Sequence, residues 1–413
     1  MPRSIGQRLV ATTTIAVLLF PFRPLPASAQ LAETESASDA FAAPDATQSL
    51  KGATDASNDK QSLPMPDLPV AATGSFSTSF PFALPAGRGG MTPSLGLSYD
   101  SASTSDSAFG LGWSIGVQSI ERSFRNGFPE LVRGPGDVLR YAEAAGDGAE
   151  FEAFGVPLVE IISSPIGLPT RLLASDSRFL APLRRQDMTL VERSASLDAF
   201  VVHRPDGSKA FYGRSPSGSA FREARVTNEL GSAAWMLLEE RDTDANVIEY
   251  AYVDMGDQAR VDRSLPQKEP LLATVQYGAN QKSGRAHTFK AEVSYGNPRP
   301  NSGIAADTSS EVDFRRGGIL VAPRRATSVA VCGPRQTFSL ADGTVASAGP
   351  NTTSGPCAGM SEIRSYQFTQ RVSADTGRVL LTGIGETREG GAPVLPTTYS
   401  YSSKGVVLML RTA

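Results

Sequence analysis

Apolar and small polar residues alternate along residues 74–116 with the two-residue period of β-strands, whose successive side chains point to opposite faces. The first run keeps its large apolar side chains on one parity, at Phe76, Phe80, Phe82 and Leu84. Two further apolar runs follow at 95–99 and 109–115. The glycine-rich stretch at 86–90 allows a chain reversal, because glycine tolerates positive φ. This pattern predicts a three-stranded β-meander.

Short apolar runs separated by turn signals continue over the rest of the chain. Candidate strands lie at 199–203, 209–212, 235–240, 247–253, 271–277, 287–295, 327–331, 366–372 and 397–401. Turn-forming residues stand between them, such as Pro-Asp-Gly at 205–207. Only 155–197 has a mixed apolar pattern that leaves a short helix open. We therefore predict an all-β fold of many short antiparallel strands and hairpins.

The N-terminus has the parts of a secretory signal peptide. Arg3 and Arg8 supply positive charge, residues 10–20 form an apolar run, and Ala27-Ser28-Ala29 is a small-residue cleavage site. The apolar run is short for a bilayer span, which takes about 18 residues or more; a retained membrane anchor is the alternative. We expect residues 1–29 to be removed and the mature protein to be secreted or periplasmic, without a stable membrane span.

Residues 30–70 form a separate region by composition. They are rich in Ala, Ser, Asp, Thr and Pro and have no sustained apolar period. Such segments bury too little apolar surface to offset the entropy of ordering. We therefore predict a disordered linker, with the folded domain beginning at about residue 71.

Composition limits the chemistry and the partners. The net charge is −3 and no cluster of Lys and Arg stands out, so we expect no nucleic-acid partner. The only histidines, His203 and His287, each lie in a strand pattern without a nearby acid, so no metal site and no cofactor are predicted. Cys332 and Cys357 are candidates for a disulfide in an exported protein, with two unpaired thiols as the alternative.

The opening segment resembles the N-terminal domain family of SpvB-type virulence proteins, which also occurs in B components of insecticidal Tc toxins. The matching residues are Gly-Ser-Phe at 74–76, Pro-Ala-Gly-Arg-Gly-Gly at 85–90, Thr-Pro-Ser-Leu at 92–95, Leu-Ser-Tyr at 97–99 and Gly-Leu-Gly-Trp at 110–113. The run 234–252 is similar to the family's hairpin and to YD (Rhs) repeats, with Ala245 where glycine is usual. As structural motif residues we single out Gly87, Arg88, Gly89, Gly90, Pro93, Gly110, Gly112, Trp113, Trp235, Asp242 and Asn246.

The resemblance covers about residues 71–403 and leaves a short tail at 404–413. It implies a β-rich shell-type domain that contributes to the encapsulation or delivery of a toxic cargo. The implied partners are other toxin-complex or Rhs/YD-repeat components. A stand-alone surface or periplasmic module that binds glycan or protein through exposed aromatic side chains is the alternative.

Two patterns mimic catalytic or metal sites. Ser77-Thr78-Ser79 and Glu150-Phe151-Glu152 resemble parts of the ADP-ribosyltransferase site that some SpvB-type proteins carry. That site also uses an upstream arginine to bind nicotinamide, and in this chain the upstream arginines occur only in the predicted signal peptide. Residues 242–246 resemble the start of a calcium loop, but Val247 and Val253 stand where a glycine and a bidentate acid are required. We therefore expect neither an enzyme nor a metal protein.

Overall fold

The structure, a computed structural model, describes fifteen stretches of the chain. These are residues 75–103, 106–124, 129–142, 151–162, 167–175, 177–183, 188–216, 224–254, 270–296, 325–334, 337–339, 345–347, 355–388, 393–401 and 409–412. The predicted signal peptide at 1–29 and the predicted linker at 30–70 lie outside the described residues.

The described residues form 26 β-strands and two 3₁₀ turns, with no α-helix among them, so the all-β prediction is confirmed. The first strands are β1 (Ser77–Pro81), β2 (Gly96–Asp100), β3 (Asp106–Ser107), β4 (Gly110–Leu111), β5 (Trp113–Ile115), β6 (Ser119–Arg122), β7 (Leu131–Arg133), β8 (Leu139–Tyr141) and β9 (Phe151–Ala153). The middle strands are β10 (Val156–Ile161), β11 (Arg178–Pro182), β12 (Leu190–Ser194), β13 (Ala199–His203), β14 (Lys209–Tyr212), β15 (Arg225–Asn228), β16 (Gly231–Arg241), β17 (Asn246–Asp254) and β18 (Pro270–Asn280). The last strands are β19 (Phe289–Tyr295), β20 (Ala326–Gly333), β21 (Thr337–Ser339), β22 (Val345–Ser347), β23 (Ser361–Val372), β24 (Val379–Arg388), β25 (Pro393–Ser400) and β26 (Met409–Thr412). The 3₁₀ turns are η1 (Arg88–Gly90) and η2 (Pro135–Asp137).

Eight antiparallel strands close into a ring because the long strand β16 has different partners along its length. The ring order is β6, β9, β10, β11, β12, β13, β14 and β16. The first half of β16 pairs with β6, where Met236 lies opposite Ser119. Its second half pairs with β14, where Arg241 lies opposite Lys209. Closure of this kind pairs the strand edges that an open sheet leaves exposed.

An open antiparallel sheet continues from the second half of β16. Its order is β16, β17, β18, β19, β20, β23, β24, β25 and β26, and most neighbours are consecutive in sequence. One face carries the buried aromatic and aliphatic side chains, such as Tyr250, Val275 and Tyr277. These side chains join those of the ring in a single hydrophobic core.

The opening segment forms the predicted meander as a separate three-stranded antiparallel sheet in the order β1, β2, β5. Its apolar side chains belong to the main core. The ring of Phe82, just after β1, lies 4.8 Å from the ring of Tyr366 on β23. The Ala83 N–H donates to the Tyr366 hydroxyl at 2.8 Å. The meander therefore packs on the core face of the open sheet.

Two segments contain strands that are not among those predicted from the sequence. Residues 155–197, where the sequence leaves a short helix open, contain strands β10, β11 and β12. Both faces of β12 are buried, which removes the alternation that marks a half-exposed strand. In addition, β26 pairs with β25, so the sheet extends past residue 403 into the predicted tail at 404–413.

Candidate functional site

The glycine-rich loop around η1 packs against the turn between β16 and β17. Gly89 has a φ of 62°, and an added Cβ would lie 2.8 Å from Asn246 Nδ2. Asp242 fixes Asn246, because its carboxylate accepts the Asn246 backbone N–H at 2.8 Å and side-chain amide at 2.7 Å. Asn280 on β18 donates to Asn246 Oδ1 at 2.9 Å. These four residues form what we call the turn junction, which joins two motifs far apart in sequence.

Ala245 occupies the position in this turn where the resembling family has glycine. Its φ is 65°, in the left-handed region that side chains with a Cβ adopt at a cost. Both oxygens of Asp242 accept hydrogen bonds inside the turn. The hairpin interpretation therefore accounts for residues that also resemble the start of a calcium loop.

The other motif residues of the opening loop shape its path. The Gly87 N–H donates to the Thr92 hydroxyl at 2.7 Å. Arg88 Nε points to the Gly278 carbonyl at 3.5 Å. Gly90 has a φ of 80° with open space around it, and Pro93 is buried. These residues hold the loop and contribute no cluster of reactive groups.

Two glycines let Trp113 enter the core. Gly112 has a φ of 77°, and a Cβ there would lie 2.8 Å from the ring of Tyr99. Gly110, with a φ of 115°, would place a Cβ 3.0 Å from backbone atoms of β24. Trp113 is only 1% exposed, and its Nε1 donates to the Tyr401 hydroxyl at 3.0 Å. The opening and closing strands of the domain are thus joined through Trp113.

Trp235, on strand β16 of the eight-stranded ring, lies between two buried arginines. The rings of Phe151 and Phe200 approach it edge to face, with centroids 5.6 Å and 4.9 Å away. The guanidinium carbons of Arg122 and Arg193 lie 5.7 Å and 4.9 Å from its centroid. Arg193 is 1% exposed and Arg122 5%. We call these five side chains the Trp235 cluster; cation–π contacts in such desolvated sites are worth about 2 kcal/mol or more.

Asp198, in the turn between β12 and β13, supplies negative charge to this cluster. Its Oδ1 accepts hydrogen bonds from Trp235 Nε1 at 2.9 Å and from Arg193 at 3.2 Å. Its Oδ2 accepts hydrogen bonds from the Ser232 hydroxyl at 2.6 Å and from Arg225 at 2.5 Å. Burial raises the pKa of Asp198, but Arg193, Ser232 and Arg225 outweigh burial and lower that pKa below its usual value. Asp198 is therefore a carboxylate at neutral pH.

Sequence reasoning missed Arg122, Arg193 and Asp198. Arginine at a strand position usually indicates a solvent-facing side chain, since buried arginine is rare. Nothing local distinguishes these two arginines from the many exposed ones. Asp198 stands in a recognisable turn, but its four hydrogen-bond partners come together only through strand pairing.

Both histidines lie beside carboxylates, contrary to the sequence prediction. His203 Nε2 is 3.3 Å from Glu192, which is fully buried, and His287 Nε2 is 3.1 Å from Glu249. Each acid comes from another strand, so sequence proximity could not reveal it. Within the described stretches, no three His, Cys, Asp or Glu side chains group in a way that could hold a metal ion.

The two cysteines are joined in the structure. A disulfide links Cys332, on β20, to Cys357, with their Cα atoms 5.5 Å apart. Both are buried and pack with Ala330 and Met360 in a small cluster. The bridge thus closes the chain segment between β20 and β23, which contains the β21–β22 hairpin.

The residues that mimic a transferase site lie in different sheets. Ser77-Thr78-Ser79 is part of β1 and pairs with β2. Glu152 lies on β9 in the ring, where its carboxylate accepts a hydrogen bond from the Ser123 hydroxyl at 2.5 Å. Glu150 is outside the described residues. Of this pattern, the described residues are thus divided between the opening meander and the ring.

Within the described part of the chain, no helix is long and apolar enough to cross a membrane.

No curated protein matches the sequence at a significant level. Residues 70–144 match the SpvB family model, described as the Salmonella virulence plasmid 65kDa B protein.

Solved structures share the fold. The N-terminal domain of effector protein SpvB from Salmonella typhimurium strain LT2 is 17% identical with a TM-score of 0.50, and the match covers 75% of this chain and 98% of that chain. TcdB2-TccC3 is 17% identical with a TM-score of 0.53, covering 79% of this chain and 16% of that one. For TcdB2-TccC3-TEV the identity is 17%, the TM-score 0.55 and the coverage 81% and 16%.

This chain thus spans nearly the whole SpvB N-terminal structure but only a small part of the TcdB2-TccC3 chains. Residues 70–144 are thus similar to the SpvB family, and the chain shares the fold of the SpvB N-terminal domain and of a segment of TcdB2-TccC3.

Proposed function

We propose that this chain is an exported, non-catalytic structural module of a toxin-like assembly, where it forms part of a β-rich wall that encloses a toxic cargo or aids its delivery. The observation that carries the proposal is the match of one fold both to the SpvB N-terminal domain and to a segment of TcdB2-TccC3. A fold found both as the N-terminal domain of one protein and within a much larger chain behaves as a module. The proposed partners are other toxin-complex or Rhs/YD-repeat components.

The architecture supports a structural rather than a catalytic role. The motif residues serve turn geometry and core packing, as in the turn junction and around Trp113. The Trp235 cluster is buried inside the ring, so its charges are not presented to a substrate. The transferase-like residues are separated between two sheets.

The glycan-binding alternative requires aromatic rings at the surface, since sugars stack on exposed ring faces. Both tryptophans and all 10 tyrosines lie in the described residues, and every one is buried or half-buried. The exposed large apolar side chains of the described residues are aliphatic, such as Ile162 and Leu395. This arrangement favours the structural module over a sugar-binding surface.

Export is the second part of the proposal. A disulfide between Cys332 and Cys357 fits an oxidising compartment, because cytosolic thiols are kept reduced. N-terminal sequencing of the protein recovered outside the cytoplasm tests this. A mature chain beginning after Ala29 is expected, and retention of residues 1–29 would contradict the proposal.

The assembly role is tested by mixing the purified mature chain with an Rhs/YD-repeat protein and measuring the mass of the eluted species by light scattering. We expect a stable complex with that protein and none with an exported β protein of another family, which serves as the control. Separate elution of a monomeric chain in both mixtures would refute the assembly role.

NAD consumption by the wild type that disappears in Glu152→Gln would refute the non-catalytic assignment.

A further inference from the structure

We infer that a cavity on the outer side of the ring is a binding site for a small amphipathic anion, a function beyond the structural role proposed above. The cavity has a volume of about 350 Å³, at the lower end of the range for ligand sites. Its apolar lining comes from Leu172, Leu173, Leu197 and Phe211. Its charged lining is basic and comes from Lys209, Arg214 and Arg241.

The cavity walls are held by buried interactions. The Glu192 carboxylate accepts the N–H groups of Leu172 at 2.9 Å and of Leu173 at 2.8 Å, which fixes that loop over β12. Leu197, also in the lining, precedes Asp198, whose carboxylate accepts a hydrogen bond from Trp235. The cavity is therefore a fixed feature of the fold rather than a gap between loose loops.

Arg214 is placed at the cavity by the glycine before it. Gly213 has a φ of 74°, and a Cβ there would lie 2.5 Å from the Trp235 ring and 3.0 Å from the Asp198 carbonyl oxygen. Only glycine allows the chain to pass so close to the indole. The same close approach that packs Trp235 thus directs Arg214 toward the cavity.

The positive charge of the cavity exceeds its negative charge. Arg241 is paired with Glu239 at 2.6 Å, and its guanidinium carbon lies 5.7 Å from the Phe211 ring centroid. Among the described residues, Lys209 Nζ reaches only a backbone carbonyl, that of Gly207 at 3.5 Å. The Arg214 guanidinium has no hydrogen bond or ion pair with any described residue, although it is half-buried. The Glu192 carboxylate in the wall is occupied by the Leu172 and Leu173 N–H groups and His203, so Lys209 and Arg214 are the two cations left to face an occupant.

These features define the chemistry of the ligand. A half-buried guanidinium favours a carboxylate or phosphate group, which it can bind with two parallel hydrogen bonds. Four apolar side chains favour a hydrocarbon or aromatic body, because a hydrated inorganic ion would leave them uncovered. The site therefore fits an anionic head group on an apolar body.

Calorimetric titration of the mature chain tests this with octanoate and octyl phosphate as probes. We expect one site for at least one of them, binding about tenfold or more tightly than octanol or inorganic phosphate, since a charge-assisted contact and the apolar body each contribute. The tighter of the two probes identifies the head group. Absence of binding by both, or equal binding of octanol, would overturn the inference.

Variants locate the site. Arg214→Gln is expected to weaken binding by about tenfold or more, whereas Lys282→Gln, which removes an exposed cation in the β18–β19 turn, is expected to leave it unchanged. Unfolding midpoints of both variants check that the fold is intact, and Lys209→Gln replaces Arg214→Gln if the latter does not fold. Equal affinities for the cavity variant and the Lys282 control would place the probe elsewhere and refute the site.

Discussion

Trp113 and Tyr401 are hydrogen-bonded to each other from opposite ends of the described chain. The indole Nε1 donates to the Tyr401 hydroxyl at 3.0 Å, and that hydroxyl donates to the Leu381 carbonyl at 2.8 Å. Because Trp113 is almost fully buried, water does not replace a lost acceptor. The pair ties the opening meander to the last strands of the open sheet.

Tyr401→Phe removes this acceptor while keeping the ring. We expect the free energy of unfolding to fall by about 1–3 kcal/mol, because the indole N–H is left buried and unpaired. Denaturant unfolding followed by tryptophan fluorescence measures the change. Tyr399→Phe is the control, since the Tyr399 ring packs on Trp113 with its centroid 4.8 Å away but makes no hydrogen bond to a described residue. Equal losses in both variants would contradict the assignment.

Gly89→Ala and Gly90→Ala separate backbone strain from contact in the turn junction. Both glycines have positive φ, so either alanine costs about 1 kcal/mol in backbone conformation. Only at Gly89 would the new Cβ also meet Asn246 Nδ2, at 2.8 Å; at Gly90 it meets nothing within 4 Å. Thermal unfolding is expected to show the larger loss for Gly89→Ala. A similar loss in both would mean that the contact with Asn246 has no energetic role.

Ala245→Gly should stabilise the protein. Ala245 has a φ of 65°, and glycine removes the steric cost of that conformation, for a net gain of about 0.5–1 kcal/mol after its larger unfolded-state entropy. Ala251→Gly, in the middle of β17, is the matched control and should destabilise by about 0.5–1 kcal/mol. A lower unfolding midpoint for Ala245→Gly would show that the turn has no such strain.

The sequence is sufficient to predict strands and hairpins where each strand has one buried face and the turn between strands is short. The meander at 74–116 follows from alternation and turn residues, whereas the hairpin at 242–246 is predicted from the family resemblance and the strand candidates beside it. The structure shows strands at both places. The ring could not be predicted, because its closure depends on Met236 pairing with Ser119, more than a hundred residues earlier. The burial of Arg193 was missed because Trp235, 42 residues later, reaches it only in the closed ring, although its acidic partner Asp198 is local.

The disulfide should contribute to stability through the unfolded chain. Cys332 and Cys357 are 25 residues apart, and closing a loop of that length is worth roughly 3 kcal/mol in the chain-entropy model. The double variant Cys332→Ser, Cys357→Ser is expected to lose about that much free energy of unfolding. Thiol titration of the denatured, unreduced wild type provides the check on pairing. Two reactive thiols there would contradict the bridge.

Asp198 makes acid stability a test of the Trp235 cluster. Its pKa is lower in the folded protein than in the unfolded chain, where it is about 3.9. The stabilisation is therefore fully present above that unfolded value and is lost as the pH falls through the folded pKa. We expect Asp198→Asn to be less stable than the wild type by about 2 kcal/mol or more at pH 7, because Arg193 and Arg225 lose their carboxylate partner.

The difference in unfolding free energy between Asp198→Asn and the wild type should narrow from about pH 4 downward, as the wild-type carboxyl is protonated. Urea unfolding at a series of pH values measures it. The control is Asp137→Asn, which breaks a pair with Arg133 in which both side chains are exposed, at 75% and 65%. That variant should differ little from the wild type at any pH, since solvent screens such pairs. A constant difference for Asp198→Asn down to low pH would mean that its side chain acts through packing rather than through its charge.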